Sequence, residues 1–167
     1  MTALPLCHPD RADTGFRPLK AWHHFRKLIA DKEDTEQVFH IIDALRDNRF
    51  TRSVEAFFAT AVGAKVLAER PYLPTLLDDH DRLKALPEGT VGRVYVDFME
   101  REGLTAQGLV DESMKFREKK PRYDDMMEVF GDRLRDTHDL SHILTGYGRD
   151  ALGEQCVLAF SYSQTPS

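Results

Sequence analysis

The sequence predicts an all-α protein that folds as a single-domain helical bundle. Apolar residues recur at spacings of three and four along most of the chain, and few segments alternate apolar and polar residues as a half-buried strand does. The length of 167 residues and the hydrophobic content of 41% suit one core rather than two. We expect the helical domain to span residues 18–167, preceded by an extended or flexible segment over residues 1–17.

Caps and helix breakers delimit the first three predicted helices. Pro18 opens a helix over "LKAWHHFRKLIA", because proline is tolerated in a first helical turn. Asp34 is a candidate N-cap for "TEQVFHIIDALR", and Asn48 is the expected stop of that helix. A single third helix is predicted over "SVEAFFATAVGAKVLAER", ended by Pro71 and Pro74.

The segment "VGRVYVDFMERE" has features of both a strand and a helix. Its β-branched and aromatic residues favour a strand, whereas the glycine that follows, Gly103, is typical of a helix C-terminus. We predict a helix over residues 90–102. A further helix is expected over residues 105–118, and one long helix over residues 123–144.

Composition excludes several classes of protein. The net charge of -5 argues against a nucleic-acid binder, which needs a concentration of Lys and Arg. Cys7 and Cys156 form neither a metal spacing nor a disulfide framework, which favours a reducing compartment. The start "MTALPLCHPDRADTG" resembles neither a signal nor a transit peptide. We therefore expect a cytoplasmic bacterial protein that contacts lipid only peripherally, at the inner face of the membrane.

The stretch "HDLSHILTGYGRDALGE" contains four potential metal ligands. His138 and His142 are four residues apart, so on a helix they share a face and can bind a single metal ion. Asp139 borders that face. The predicted inward stripe of the same helix consists of Met126, Met127, Phe130, Leu134 and Leu144. Since the histidines fall on the border of this stripe, we expect them at the edge of a core cavity.

A glycine-rich hinge is predicted to return the chain beside these histidines. Gly146 and Gly148 supply backbone conformations that other residues resist, and Asp150 is the expected cap of the next helix. Glu154 then lies in the opening turns of a segment that is apolar on most sides, so we expect it to be buried. A buried carboxylate without a partner is costly, and a divalent cation held also by the two histidines would compensate it.

Other side chains allow two interpretations each. Arg149 can pair with a substrate carboxylate or face solvent, and Tyr147 can line a ring pocket or shape the turn. The small-residue face of "AFFATAVGAKVL", with Phe58 and Val62, is either a helix–helix contact, the commoner use, or the wall of an apolar channel. The histidines expected to be structural only are His23, His24, His40 and His80.

These residues resemble a known family. The pattern H-D-x-x-H, eleven residues and Glu is similar to the metal motif of the ubiquinone-biosynthesis proteins of the Coq-four (Coq4) family. The segments "LPEGTVGRVYVDFMEREGL" and "AKVLAERPYLPTLL" resemble its upstream segments, so the resemblance covers most of the chain from about Ala21 onward. It implies that His138, His142 and Glu154 are metal ligands, with Asp139 a ligand or a base beside them.

The resemblance also implies a function. Family members are all-α proteins at a membrane surface, associated with removal of the C1 carboxyl group of a polyprenyl-hydroxybenzoate, with hydroxylation at that carbon, and with a scaffold role among other ubiquinone-biosynthesis proteins. They continue through further helices beyond the point where this chain stops. Part of the pocket wall is therefore expected outside this chain or from another subunit, as in a homodimer.

The ligand set favours catalysis but leaves alternatives open. Two histidines and one carboxylate leave coordination positions free for substrate, and they do not distinguish Zn, Fe and Mn. The metal would act as a Lewis acid during decarboxylation or, as Fe(II), would activate dioxygen. One alternative is a metallohydrolase, since H-D-x-x-H is close to H-E-x-x-H, although Asp is one methylene shorter. The other is a non-catalytic lipid-binding scaffold whose metal only fastens two helices together.

Overall fold

A computed structural model describes residues 4–11, 15–31, 36–45, 48–117 and 121–164. These residues form eleven α-helices and no strand, which confirms the predicted all-α class. The helices are α1 (Pro18–Ala30), α2 (Glu36–Ala44), α3 (Asn48–Phe58), α4 (Ala61–Glu69), α5 (Leu73–Leu77), α6 (His80–Lys84), α7 (Val91–Glu102), α8 (Ala106–Arg117), α9 (Met126–Asp136), α10 (His138–Thr145) and α11 (Ala151–Ser163).

Two apolar clusters make up the core. The first consists of buried residues of α5, α7 and α8, and Leu140 and Ile143 of α10 pack against it. The second joins α3 to α9 through Val54, Phe58, Met127 and Phe130. The chain runs directly from α9 into α10. The α3–α9 cluster anchors α9, and the cluster of α5, α7 and α8 anchors α10.

The described part of the N-terminal segment, residues 4–11, is not helical and holds the start of α9. The carbonyl of Pro5 accepts a hydrogen bond from the backbone N–H of Met126 at 2.9 Å. Asp125 is fully buried and accepts two hydrogen bonds from Arg11, at 2.7 and 2.8 Å. Burial opposes the ionisation of Asp125, but the Arg11 guanidinium outweighs it and holds the pKa of this carboxyl below its usual value.

The prediction of one helix over residues 53–70 is wrong, because the chain turns between α3 and α4. Thr60 breaks the helix: its hydroxyl donates to the carbonyl of Phe57 at 2.7 Å and accepts from the N–H of Gly63 at 3.0 Å. A Cβ at Gly63 would lie 2.0 Å from the Phe57 carbonyl oxygen, so only glycine fits there. Asn48, the predicted stop of the second helix, is instead the first residue of α3.

The helix predicted over residues 90–102 is confirmed as α7. Thr90 is its N-cap residue, and Gly103 ends it in the left-handed conformation with φ 66°. The helix expected over residues 105–118 corresponds to α8, which begins at Ala106. Residue 118 and the predicted cap Asp34 lie outside the described residues.

The long helix predicted over residues 123–144 is two helices, α9 and α10. Thr137 interrupts it with φ -97° and ψ 3°, and its hydroxyl donates to the carbonyl of Arg133 at 2.8 Å. A stripe calculated for one straight helix therefore does not apply to Leu144, which lies beyond this break and is 62% exposed. Within α9, Met127 and Phe130 are buried as predicted, whereas Leu134 is 49% exposed.

Candidate metal centre

The structure brings the three predicted ligands together. His138 and His142 lie on α10, and Glu154 lies in the first turn of α11. The Nε2 atoms of the two histidines are 3.3 Å apart. The Glu154 carboxylate is 3.3 Å from Nε2 of His138 and 3.5 Å from Nε2 of His142, each through a different oxygen. Two helices that are consecutive in the chain thus present two nitrogens and a carboxylate to one point.

These distances fit a small divalent cation. Ligand atoms bonded to zinc at about 2.0–2.1 Å in a tetrahedron are separated by about 3.4 Å. The three separations of 3.3, 3.3 and 3.5 Å match that spacing. Asp139 offers a further potential ligand, since one of its oxygens and the two histidine nitrogens lie within 4.8 Å of one another. The donor set therefore comprises three close ligands, with Asp139 as a fourth candidate beside them.

His142 is held in a single orientation. Its side chain is fully buried, and its Nδ1 lies 3.0 Å from the carbonyl oxygen of Tyr147, so Nδ1–H donates there and Nε2 is left with its lone pair. The ring also stacks on Phe98, with ring centroids 5.9 Å apart and an interplanar angle of 16°. Histidine ligands in metalloproteins are usually fixed by such a second hydrogen bond.

The hydrogen bond between His138 and Glu154 favours the charged form of both side chains. The hydrogen bond with Glu154 raises the pKa of His138, against the opposing effect of burial. Burial likewise opposes the ionisation of Glu154, but the hydrogen bond with His138 prevails and the pKa of Glu154 is lowered. One proton on His138 can therefore neutralise this site, and a bound cation would take the place of that proton.

Asp139 has the opposite electrostatic character. It is 9% exposed, and burial raises the pKa of its carboxyl. Among the described residues, its carboxylate makes no hydrogen bond or ion pair. Glu154 is thus the carboxylate that stays ionised, and Asp139 is the one that retains a proton more readily.

The prediction that Glu154 is buried is wrong. Its side chain is 36% exposed, because α11 is not covered on most sides: Leu152 and Leu158 are 72% and 42% exposed. Gly153 and Val157 form the buried part of the helix. Two imidazoles, rather than an apolar enclosure, therefore determine the state of this carboxylate.

The hinge works differently from the predicted one. Gly146 ends α10 in the left-handed conformation, as expected, and Asp150 caps α11 by accepting from the N–H of Leu152 and Gly153. The backbone of Gly148 is not left-handed. The position that requires glycine is instead Gly153, because a Cβ there would lie 1.9 Å from the carbonyl oxygen of Gly148.

The remaining predicted site residues have different surroundings. Arg149 is exposed, 3.9 Å from Glu102, and its charge acts to lower the pKa values of the nearby His138, Asp139 and Glu154. The Tyr147 ring is exposed, although its carbonyl orients His142. Phe58 belongs to the α3–α9 cluster, and Val62 is 63% exposed on α4. A role of these four residues with substrate stays a prediction.

The other histidines have ordinary partners or face solvent. His24 stacks on His40 with ring centroids 4.2 Å apart. His80 lies 3.5 Å from a carboxylate oxygen of Glu100, and His23 is exposed. A structural role for these histidines stays a prediction.

Sequence reasoning missed the contribution of α7. Tyr95, Phe98 and Glu102 are spaced by three and four residues, so they lie on one helical face. Phe98 contacts His142 and Glu102 reaches Arg149. The helical period in "VYVDFMERE" could have indicated this face, but not which helix it packs against.

Comparison with known proteins finds relatives in one family. The family model for "Coenzyme Q (ubiquinone) biosynthesis protein Coq4" matches residues 29–166. A mitochondrial ubiquinone biosynthesis protein COQ4 from Pyricularia oryzae is 32% identical over 140 residues, which is 83% of this chain and 41% of the relative. The COQ4 homologue of Danio rerio, also named as mitochondrial, is 33% identical over 103 residues, 62% of this chain and 35% of the relative. The chain thus spans less than half the length of these curated relatives.

A solved structure shares the fold. A candidate ubiquinone biosynthesis protein from Nostoc punctiforme superposes with a TM-score of 0.56 and 25% sequence identity. The match covers 90% of this chain and 67% of that one.

Replacing Gly153 with alanine should displace Glu154 from the histidines, because the added Cβ would overlap the Gly148 carbonyl. We expect the free energy of unfolding to fall by about 1–3 kcal/mol, as for other overpacked sites, in chemical denaturation. The imidazole NMR signals of His138 and His142 should also shift.

Gly131→Ala is the matched control, because nothing lies within 4 Å of a Cβ built at this position of α9. It should raise the free energy of unfolding by about 0.5–1 kcal/mol, since alanine is the better helix former. Equal stability and unchanged imidazole signals in Gly153→Ala would contradict the assigned role of the hinge.

Proposed function

The chain belongs to the Coq4 family of coenzyme Q (ubiquinone) biosynthesis proteins, and from this premise we propose that it is a metal-dependent enzyme that removes the C1 carboxyl group of a polyprenyl-hydroxybenzoate precursor. The observation that carries the proposal is the triangle formed by His138, His142 and Glu154, with sides of 3.3–3.5 Å. Because the chain spans under half of its curated relatives, substrate, activity and partners are inferred from this site and from the family.

The three ligands would hold Zn, Fe or Mn, whose N and O ligand preferences they satisfy equally. Such an ion, when bound, supplies Lewis acidity that draws electron density from the substrate ring or carboxylate. Glu154 is 36% exposed, so the ligand set is accessible from solvent on one side. A substrate oxygen can therefore approach without unfolding α10 or α11.

The protein's own residues account for the rest of the chemistry. Arg149 is exposed and only loosely paired with Glu102, at 3.9 Å, so its guanidinium is available to the substrate carboxylate. When CO2 leaves, the electron pair of the broken C–C bond stays at C1, which takes up one proton. Asp139, whose pKa is raised by burial, would hold and deliver that proton. Hydroxylation at C1 would in addition need dioxygen and a two-electron reductant.

We place contact with the membrane surface on α1. Its residues Leu19, Trp22 and Ile29 are 85%, 60% and 60% exposed. The helix contains no acidic residue, and it carries Lys20, Arg26 and Lys27. A basic helix with an exposed apolar face is typical of peripheral binding to anionic lipid, where a polyprenylated precursor resides. No helix among the described residues is long and apolar enough to cross a bilayer.

A non-catalytic lipid-binding scaffold is the second candidate. The same exposed apolar face of α1 would suit association with other ubiquinone-biosynthesis proteins or with a second copy of the chain. The two candidates differ in what the metal ligands do: a scaffold needs them for folding only, whereas an enzyme needs them for turnover.

Metal content tests the site directly. The purified protein should retain about one divalent ion per chain, and His142→Ala and Glu154→Ala should each lose it, because two ligands hold these cations weakly. Elemental analysis after exposure to Fe, Zn or Mn measures this. His23→Ala is the control, since His23 is exposed on α1 and should leave metal content unchanged. Failure of the unaltered protein to retain any divalent metal would refute the proposal.

Quinone-intermediate profiling separates the enzyme from the scaffold. Cells that depend on the His142→Ala variant should accumulate the precursor that still carries the ring carboxyl group, with protein level and partner binding intact. His23→Ala cells should show the normal profile. A loss of partner binding without the carboxylated precursor would favour the scaffold, and cleavage of peptide or ester substrates would favour the hydrolase.

Vesicle co-sedimentation tests the role of α1. Binding to vesicles rich in phosphatidylglycerol should exceed binding to pure phosphatidylcholine, and Trp22→Glu should reduce it by about tenfold, because a large apolar contact is replaced by a charge that anionic lipid repels. Val91→Glu, at an exposed apolar position of α7, is the control and should bind like the unaltered protein. An equal loss of vesicle binding in both variants would contradict membrane contact through α1.

A further inference from the structure

One face of α7 contacts both α10 and the connection that follows it. Phe98 stacks on His142, and Glu102, one turn later, reaches Arg149. In the other direction, Tyr95 lies one turn before Phe98, just as Asp139 lies one turn before His142. Tyr95 and Asp139 thus occupy corresponding positions on two helices that are in contact, and the charge of Asp139 acts on the Tyr95 phenol.

Tyr95 carries an unusual hydroxyl. The residue is 1% exposed, and its OH makes no hydrogen bond with any described residue. A buried donor without a partner is costly, and phenylalanine would fill the same space without that cost. Since the hydroxyl adds nothing to the packing of the first core cluster, its function lies in what it faces.

Two carboxylates act on Tyr95. Burial raises the pKa of the phenol, and the negative charges of Asp139 and Asp78 raise it further. Asp78 is already engaged, because its oxygens accept from the backbone N–H of Ala106 and Gln107 at 2.7 and 2.9 Å. Asp139 has no such partner among the described residues, so it is the acceptor that remains for the phenol.

We propose that Tyr95 is a positioning residue of the metal centre: its hydroxyl donates to the Asp139 carboxylate through one bridging water and sets the orientation of that carboxylate beside His138 and His142. The inference rests on the proposed metal site and extends it by a residue from a third helix. Groups that orient metal ligands in this way commonly change metal affinity by 10- to 100-fold when they are removed.

Tyr95→Phe tests the proposal through metal affinity, with Co(II) as the probe. The dissociation constant should rise by about tenfold, and the visible absorption bands of the Co(II) protein should shift. The melting temperature of the metal-free variant should change little, because the phenol makes no direct hydrogen bond with a described residue. Tyr72→Phe is the control: it removes a hydroxyl bonded to Gln107 on the surface and should leave both Co(II) readouts unchanged.

The same measurement in an Asp139→Asn background tests the route of the effect. Substitution of Tyr95 should change the Co(II) affinity far less there, because the two residues act as one unit. An equal loss in both backgrounds would assign Tyr95 to packing alone and overturn the proposal, as would unchanged affinity and spectrum in Tyr95→Phe. If the unaltered protein does not bind Co(II), Zn(II) or Fe(II), the proposed metal site is refuted, and the role of Tyr95 is refuted with it.

Discussion

The candidate site depends on one tight reversal of the chain between α10 and α11. Gly146 ends the first helix, Gly153 lets the second pass against the Gly148 carbonyl, and the Tyr147 carbonyl between them receives the Nδ1–H of His142. The turn therefore does two things at once. It brings Glu154 to the histidines, and it points the lone pair of His142 at Glu154. Neither the ligand distances nor the tautomer would survive a longer connection.

The two carboxylates of the site have environments that separate their chemistry. Glu154 is partly exposed and bonded to His138, and its pKa is lowered, whereas Asp139 is buried without a hydrogen-bond partner in the described part of the chain, and its pKa is raised. Pairs of acidic groups whose pKa values diverge commonly divide the work of ligand or charge stabiliser from that of proton donor or acceptor. The family pattern alone leaves Asp139 as either ligand or base; its burial and the raised pKa of its carboxyl favour the second role.

What the sequence could predict was local. Two predictions used only residues close together in the chain: that His138 and His142 share a helical face, and that α7 ends at Gly103. The structure agrees with both. The breaks at Thr60 and Thr137 were missed because each depends on a hydroxyl that bonds a carbonyl of the preceding turn, an interaction that a threonine in an intact helix also makes. The exposure of Glu154 and the contact of α7 with α10 were missed because they depend on which distant elements pack together.

The combination of Tyr95 and Asp139 favours catalysis over a metal that only fastens helices. A structural site is usually closed by four tightly bound ligands, and it gains nothing from a buried carboxyl held outside the ligand triangle. Here the first core cluster contains the Tyr95 phenol, which makes no direct hydrogen bond with a described residue and is costly to bury, while the charge of the buried Asp139 acts on it. An apolar pair would stabilise α7 against α10 better. Retaining this polar pair beneath the ligands, while Glu154 stays accessible from outside, is the arrangement expected of a site that moves a proton on a bound substrate.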